Sequence, residues 1–494
     1  MTQSSILTLS QVSYTFPGAS APTIDHASLS FPKGWTGIIG NNGCGKTTLA
    51  RLACGLLTPD SGQVSPRLSY AYCEQDAGIQ PELLFDFSCD YNKEAQKLRS
   101  LFNIDDEMLW RFSELSAGEQ KKIQIAVALW TNPELLILDE PTNHVDAACR
   151  NEISHVLSTY KGTGLLISHD RTLLDNLVTQ CLCFENRKII MRPGTYSEAK
   201  RQSQLEIMSA TREKEAQKAR IQKLQTEYAQ RSHKAAQTAK RRSAKNLDKH
   251  DRDGRAKIKL AIYTGQDGKA GALAASMDAR LKKEQEKLAA LHIKKEYQST
   301  LWVESKPSPR KTLLYLPAHQ ILTAQGRQLT IPTISLENTT HLGIQGQNGI
   351  GKTTLVKQIV SQITQEQDRT PLQLLYLPQE LSKEKREQIL TTIRSLPKQE
   401  KGKLLSIVAQ LNSDPKRILD GNETSPGEAR KLFLALGILQ APELIIMDEP
   451  TNHLDIHSIE ALEQALANFP GALLLISHDE TFMEATTNEI ITLT

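Results

Sequence analysis

The stretch "GNNGCGKTT" at residues 40–48 returns as "GQNGIGKTT" at 346–354. Each fits G-x-x-x-x-G-K-[ST], a phosphate-binding loop. Its glycines leave backbone N–H groups free to wrap phosphates, its lysine reaches the terminal ones, and the following hydroxyl can ligate Mg²⁺. In the first copy these roles fall to Gly40, Asn42, Gly43, Gly45, Lys46, Thr47 and Thr48. In the second they fall to Gly346, Asn348, Gly349, Gly351, Lys352, Thr353 and Thr354. An apolar "TGIIG" precedes the first loop and a helically spaced "TTLARLACGLL" follows it. The loop is therefore predicted to sit between a strand and a helix whose N-terminus faces the anion.

The repetition extends beyond the loops. Lys46 pairs with Lys352 at an offset of 306, Gln75 with Gln379 at 304, and Ser116 with Ser425, Asp139 with Asp448 and His169 with His478 at 309. So steady an offset implies a duplicated α/β domain, with copies at 1–198 and 306–494 and a spacer at 199–305.

In each copy an apolar strand ends in two acids, "LLILDEP" with Asp139 and Glu140, "LIIMDEP" with Asp448 and Glu449. The aspartate is placed to hold Mg²⁺ opposite Thr47 or Thr353. The glutamate can accept a proton from an attacking water. A second apolar strand ends in "SHD", which puts a neutral His169 or His478 within reach of a terminal phosphate and that water.

The chain has 494 residues, 39% of them hydrophobic and 23% charged, which fits a soluble globular protein of two to four domains. No apolar run approaches the roughly 18–20 residues that span a bilayer, and the N-terminus has no basic, apolar leader. A cytoplasmic location is expected. The seven cysteines (44, 54, 73, 89, 149, 181 and 183) are odd in number and form no C-x-x-C pair, so reduced thiols are expected. "CLC" at 181–183 lies in a strand-like stretch and reads as buried core.

The order of phosphate loop, glutamine, "LSAGE" or "TSPGE", apolar-D-E-P-T-N-H and S-H-D resembles two ATP-binding cassette ATPase domains. Two cassettes on one chain, "DEPTNHVD" and "DEPTNHLD", no membrane span and a long charged linker together resemble the ABC-F family, over nearly the whole chain. The resemblance implies tandem cassettes joined by an antiparallel helical hairpin, with two ATP molecules held between head-to-tail domains. One site would join Lys46, Thr47, Gln75, Asp139, Glu140 and His169 to Ser425, Gly427 and Glu428. The other would join Lys352, Thr353, Gln379, Asp448, Glu449 and His478 to Ser116, Gly118 and Glu119, with Gln75 and Gln379 as further Mg²⁺ ligands. The second signature departs from the usual pattern with Thr424 and Pro426, the first with Ala117. Phe16 fits the adenine-stacking aromatic of the first cassette, with Tyr14 as the alternative, and no equivalent stands before Lys352.

The net charge of +3 is unevenly spread. Residues 200–300 hold 25 Lys+Arg against 12 Asp+Glu, or +13, which leaves 3 − 13 = −10 for the rest. No proline lies between Pro193 and Pro307, so this segment reads as helix, loop and helix, with a tip near 250–271. Stripes at Ile221, Leu224 and Tyr228, and at Leu273, Met277, Leu281, Leu288 and Leu291, suit an antiparallel coiled coil. Arg241, Arg242, Lys245, Arg252, Arg255, Lys257 and Lys259 suit phosphate contacts with a polyanion, and Tyr263 suits either base stacking or packing. The family resemblance implies the ribosome as that polyanion, with the hairpin in the tRNA exit site and its tip toward the peptidyl-transferase centre. Neither cassette has room for an extra helical arm, as in the antibiotic-resistance members, and a general translation factor remains the alternative. The chain is expected to be a monomer whose own cassettes pair. The competing readings are an ATPase module docking on membrane subunits and a DNA-associated ATPase.

Overall fold

The computed structural model describes residues 6–143, 145–185, 188–241, 266–290, 305–322, 328–365, 372–413 and 425–493, with backbone only at 234–241, 266–275 and 289–290. The chain falls into two compact units, Met1–Ala199 with Glu296–Thr494, and Lys200–Lys295.

In the first unit each cassette is built on a mainly parallel sheet. The first runs in the order Tyr70–Cys73, Leu135–Asp139, Thr163–Ile167, Gly34–Gly40, Val178–Glu185 and Lys188–Pro193, the last pair antiparallel. The second repeats that order with Leu374–Leu377, Leu444–Asp448, Ala472–Ile476, His341–Gln345 and Glu489–Thr492. A parallel sheet needs cover on both faces, so its strands are apolar throughout rather than alternating. Leu135 and Ile137 pack with Leu49 and Leu52 on one face, while Leu136 and Leu138 pack with Phe87 and Phe102 on the other. In the second cassette Leu444 and Ile446 take one face and Ile445 and Met447 the other.

The register fixes the catalytic edge. Ile167 pairs with both Ile38 and Asp139, and Ile476 pairs with both Ile344 and Asp448. The loop after the central strand therefore meets the two acids and the S-H-D turn at the carboxyl ends of the sheet, where open α/β sheets bind ligands. Helices Leu84–Cys89, Lys93–Phe102 and Asp106–Trp110 in the first cassette, and Lys383–Ser395 and Lys398–Gln410 in the second, fill the span between the glutamine and the signature. The cassettes also share core: Ile456 of the second is fully buried in the apolar cluster of the first. Burial of that side chain contributes about 1.5–3 kcal/mol to holding the halves together.

The helix Tyr196–Arg241 enters the second unit at Lys200, has 46 residues and would run about 69 Å at 1.5 Å per residue. The returning helix is Gln266–Ala290. Ile221, Leu224 and Met277 are buried on the seam, and the Gln217 amide donates to the Glu284 carbonyl at 3.2 Å. Glu284 is itself buried, a polar element that the apolar stripes did not announce. Leu273 and Leu291, the tip, Tyr263 and the basic residues from Arg241 to Lys259 lie outside the described side chains. Among the described residues no helix is long and apolar enough to cross a membrane. All seven cysteines are free thiols, and Cys181 and Cys183 are buried as the strand reading expects.

Candidate functional site

The two phosphate loops have the same backbone. Gly43 and Gly349 have φ of 72° and 74°, and Gly45 and Gly351 have 107° and 115°. These left-handed values are open to glycine and strained for other residues, which is why the motif specifies it there. Each loop lysine lies along the loop: Lys46 Nζ donates to the Gly40 carbonyl at 2.8 Å, and Lys352 Nζ to the Gly346 carbonyl at 2.7 Å. Thr47 Oγ1 donates to Asp139 Oδ2 and Thr353 Oγ1 to Asp448 Oδ2, both at 2.8 Å. Tyr72 adds a second bond to Asp139 Oδ2 at 3.0 Å.

Both strand-end glutamates sit in the left-handed region, Glu140 at φ 49° and Glu449 at 48°. Non-glycine residues are held there only when their surroundings over-determine them. Each N–H is pinned to the neighbouring strand, Glu140 to the Ile167 carbonyl at 2.8 Å and Glu449 to that of Ile476 at 2.9 Å. Each Oε2 accepts from a backbone N–H, of His169 at 3.1 Å and of His478 at 3.3 Å. That turns the two carboxylates toward the imidazoles. His169 Nε2 lies 2.9 Å from Glu140 Oε1, and its Nδ1 accepts from Ile456 N–H at 3.2 Å, so the tautomer that fits carries its proton on Nε2. His478 Nε2 lies 3.0 Å from Lys352 Nζ, 2.8 Å from Asn348 Oδ1 and 3.5 Å from Glu449 Oε1. Glu449 Oε1 is buried without a hydrogen bond.

Burial raises both aspartates, Asp139 with help from the charge of Glu140. Burial pushes Glu449 up to about 7 despite the neighbouring Lys352 charge. Burial and Lys352 hold His478 down at about 4, so its imidazole is neutral at pH 7.

The cassettes face each other head to tail. A cavity of about 450 Å³ joins the second loop to the first signature, with Ser116 and Gly118 on one wall and Lys352, Thr353, Gln379, Asp448, Glu449 and His478 on the other. On the opposite side Asn42 Nδ2 donates to the His453 carbonyl at 2.9 Å, and Asn412 Nδ2 to Asn41 Oδ1 at 3.1 Å. A Cβ on Gly427 would stand 3.4 Å from Asn42 Nδ2, so the second signature abuts the first loop.

The signature glutamates have a visible job. Ser116 and Glu119, and likewise Ser425 and Glu428, form reciprocal capping boxes at the N-termini of Ala117–Trp130 and Pro426–Leu439. Pro426 occupies the first turn without disturbing it. The carboxylates of Glu119 and Glu428 are thus turned back on their own serines. Gly118 and Gly427 differ in tolerance: a Cβ at Gly118 meets Cys149 Sγ at 3.5 Å, whereas one at Gly427 meets the His453 carbonyl oxygen at 2.4 Å. Gly427→Ala is expected to cost about 1–3 kcal/mol of stability in urea unfolding, and Gly118→Ala close to none. Equal effects would contradict this geometry.

Phe16 is exposed beside Tyr14, the rings edge to face at 5.1 Å. At the loop offset of 306 from Phe16 stands Leu322, which pairs with Gln328 in its strand and is also exposed. Gln75 is exposed, and Gln379 lines the cavity.

Several site residues escaped the sequence reading. Lys121 and Arg430, at an offset of 309, are buried cations. Lys121 Nζ donates to the Gln75 carbonyl at 3.3 Å, and Arg430 Nη1 to the Gln379 carbonyl at 2.9 Å. Arg430 Nη2 also donates to the Glu449 carbonyl at 2.9 Å, so one guanidinium ties the glutamine loop to the acid turn. A pair of cations inside an otherwise apolar helix, "GEQKKIQIA" and "GEARKLFLA", was the available signal. Across the cassettes, Arg171 pairs with Glu463 at 2.7 Å, and Tyr196 Oη donates to Glu460 Oε1 at 2.6 Å.

The residues present fit MgATP: a glycine-rich loop whose backbone can present amides to phosphate, a lysine, and one hydroxyl beside one carboxylate as hard oxygen donors. Among the described residues no cluster of three His, Cys, Asp or Glu side chains is arranged to hold a metal ion.

The family model described as "ABC transporter" matches residues 24–143 and 329–452. The ribosome protection protein VmlR of Bacillus subtilis is 30% identical over 508 residues, covering 98% of this chain and 86% of its own. The chain belongs to the ABC-F family. The erythromycin resistance ATP-binding protein MsrA of Staphylococcus epidermidis is 26% identical over 96% of this chain and 94% of its own. Among solved structures, RNase-L Inhibitor superposes with a TM-score of 0.58 over 98% of this chain and 87% of its own, at 17% identity, a likeness of fold alone. As an ABC-F protein with two complete cassettes, the chain binds and hydrolyses ATP.

Proposed function

We propose that this chain is a ribosome-associated ATPase whose two cassettes close on MgATP, and whose basic linker reaches rRNA and tRNA. The cavity shared by Ser116 and Gly118 with Lys352 and Glu449 carries this reading, because nucleotide held there bridges both halves and stabilises the closed form. The likeness to VmlR, a ribosome protection protein, and to MsrA, an erythromycin resistance protein, supports a ribosomal partner and favours protection from drugs over general translation.

Within each site the proposed division of labour is the same. The loop amides and Lys46 or Lys352 hold the phosphates. Thr47 with Asp139, and Thr353 with Asp448, hold Mg²⁺, with Gln75 and Gln379 alongside. Bound MgATP supplies an electrophilic terminal phosphorus. Glu140 or Glu449 takes a proton from the water that bonds to it, as the bond to the bridging oxygen breaks to leave ADP and phosphate. His169 and the neutral His478 orient that water. Phe16 offers a face to adenine where Leu322 offers only an aliphatic one.

Glu449 must be ionised to act as a base. In a Glu140→Gln chain, which leaves only the second site working, turnover should rise about tenfold from pH 6 to 8, as the carboxyl titrates near 7. A flat profile over that range would sink the assignment of Glu449 as base.

The linker's +13 points to a polyanion, and the proposed contacts of Arg241, Arg242, Lys245, Arg252, Arg255, Lys257 and Lys259 are with phosphates. We place the protein in the cytoplasm as a monomer with no membrane subunit. The test is partition of the full chain, with a slowly hydrolysed ATP analogue at matched salt, among ribosomes, duplex DNA and membrane vesicles. Ribosome preference is expected. Preference for either of the other two would replace this function with a chromosomal or transport one.

A further inference from the structure

Arg150, on the helix Ala147–Ser158 of the first cassette, lines the cavity that holds Lys352, Glu449 and His478 of the second. Its Nε stands 2.9 Å from Asp170 Oδ2, with only 15% of the side chain exposed. Asp170 is itself fixed, because its Oδ1 accepts from Leu173 N–H at 3.0 Å as the cap of the helix Arg171–Leu177. The ion pair holds the guanidinium at Nε, and the two terminal nitrogens of its planar fork are further donors on a side chain that lines the cavity. The repeat does not carry this group over. At an offset of 309 from Arg150 stands Ile459, which is buried and has no charge to offer the first site. The Arg150 charge is felt across the cavity, where it favours the ionised form of Glu449 and the neutral form of His478.

We propose that Arg150 is a trans-acting ligand of the terminal phosphate in the second ATP site, supplied by the first cassette and absent from the first site. A guanidinium is matched in shape and charge to phosphate oxygens, and two of its nitrogens can bind them together. The chemistry specifies a nucleoside triphosphate over a diphosphate, since the group faces the end of the phosphate chain where Glu449 and His478 lie. Asp170 directly follows His169, so the residue that anchors Arg150 for the second site adjoins the histidine of the first. The inference rests on the reading of that cavity as an ATP site.

The test uses the full chain carrying Lys46→Ala, which leaves the second loop intact, and measures binding of fluorescent ATP and ADP analogues with Arg150 or with Ile, Gln or Lys in its place. Arg150→Ile and Arg150→Gln are expected to weaken the triphosphate about tenfold or more and the diphosphate less than about twofold, with Arg150→Lys recovering part of the difference. Arg150→Gln keeps the polar stem and serves if the isoleucine variant melts early. Equal losses for both nucleotides, or none, would overturn the proposal. If adding Lys352→Ala leaves triphosphate binding unchanged, the reading of the cavity as an ATP site fails instead.

Discussion

Replacing Glu140 and Glu449 together by glutamine is expected to lower ATP turnover by about 10²–10⁴-fold while ATP stays bound. Glutamine has the shape of glutamate, and its amide oxygen can keep the bond from the His169 or His478 N–H that holds each side chain in place. It cannot take a proton from water. The left-handed backbone at φ 49° and 48° comes from the strand-end pairing with Ile167 and Ile476, so the turn should survive the change. Phosphate release by the double variant against the wild type measures this, with nucleotide retention as the control. Turnover within a few fold of wild type would remove both glutamates from the chemistry.

Neutralising Arg241, Arg242, Lys245, Arg252, Arg255, Lys257 and Lys259 together should flatten the salt dependence of ribosome binding. At 0.7–0.9 per phosphate contact the slope of log K against log salt would fall by about 5–6 if all seven make contact. The ATPase activity without ribosomes should hold, since the ATP sites lie in the other compact unit. An unchanged slope would mean that these cations form a solvated helix surface and that the cassettes do the binding.

Much of this architecture was legible because it occurs twice. The offset of 309 that pairs Asp139 with Asp448 and His169 with His478 reappears as matching strand registers, Asp139 beside Ile167 and Asp448 beside Ile476. The head-to-tail pairing came from the family resemblance, and the cavity with Ser116 opposite Lys352 has that arrangement. What stayed hidden depends on contacts between distant segments. Tyr196 and Glu460 are 264 residues apart, and nothing local marks either as a partner. Ile456 looks like an ordinary apolar residue on its own helix, yet it is buried in the other cassette's core. Lys121 and Arg430 find their partners in the glutamine-loop carbonyls, on a segment far from them in sequence. The capping glutamates were hidden for the opposite reason, because the motif that contains Glu119 and Glu428 suggested the nucleotide before it suggested Ser116 and Ser425.

In the proposed cycle ATP closes a clamp on the ribosome and hydrolysis opens it. That cycle is tested most directly by co-sedimenting the Glu140→Gln, Glu449→Gln chain with ribosomes in ATP and in ADP at several salt concentrations. Retention in ATP and release in ADP is the result this account predicts. A chain that binds ATP yet sediments no better with ribosomes than in ADP would contradict it.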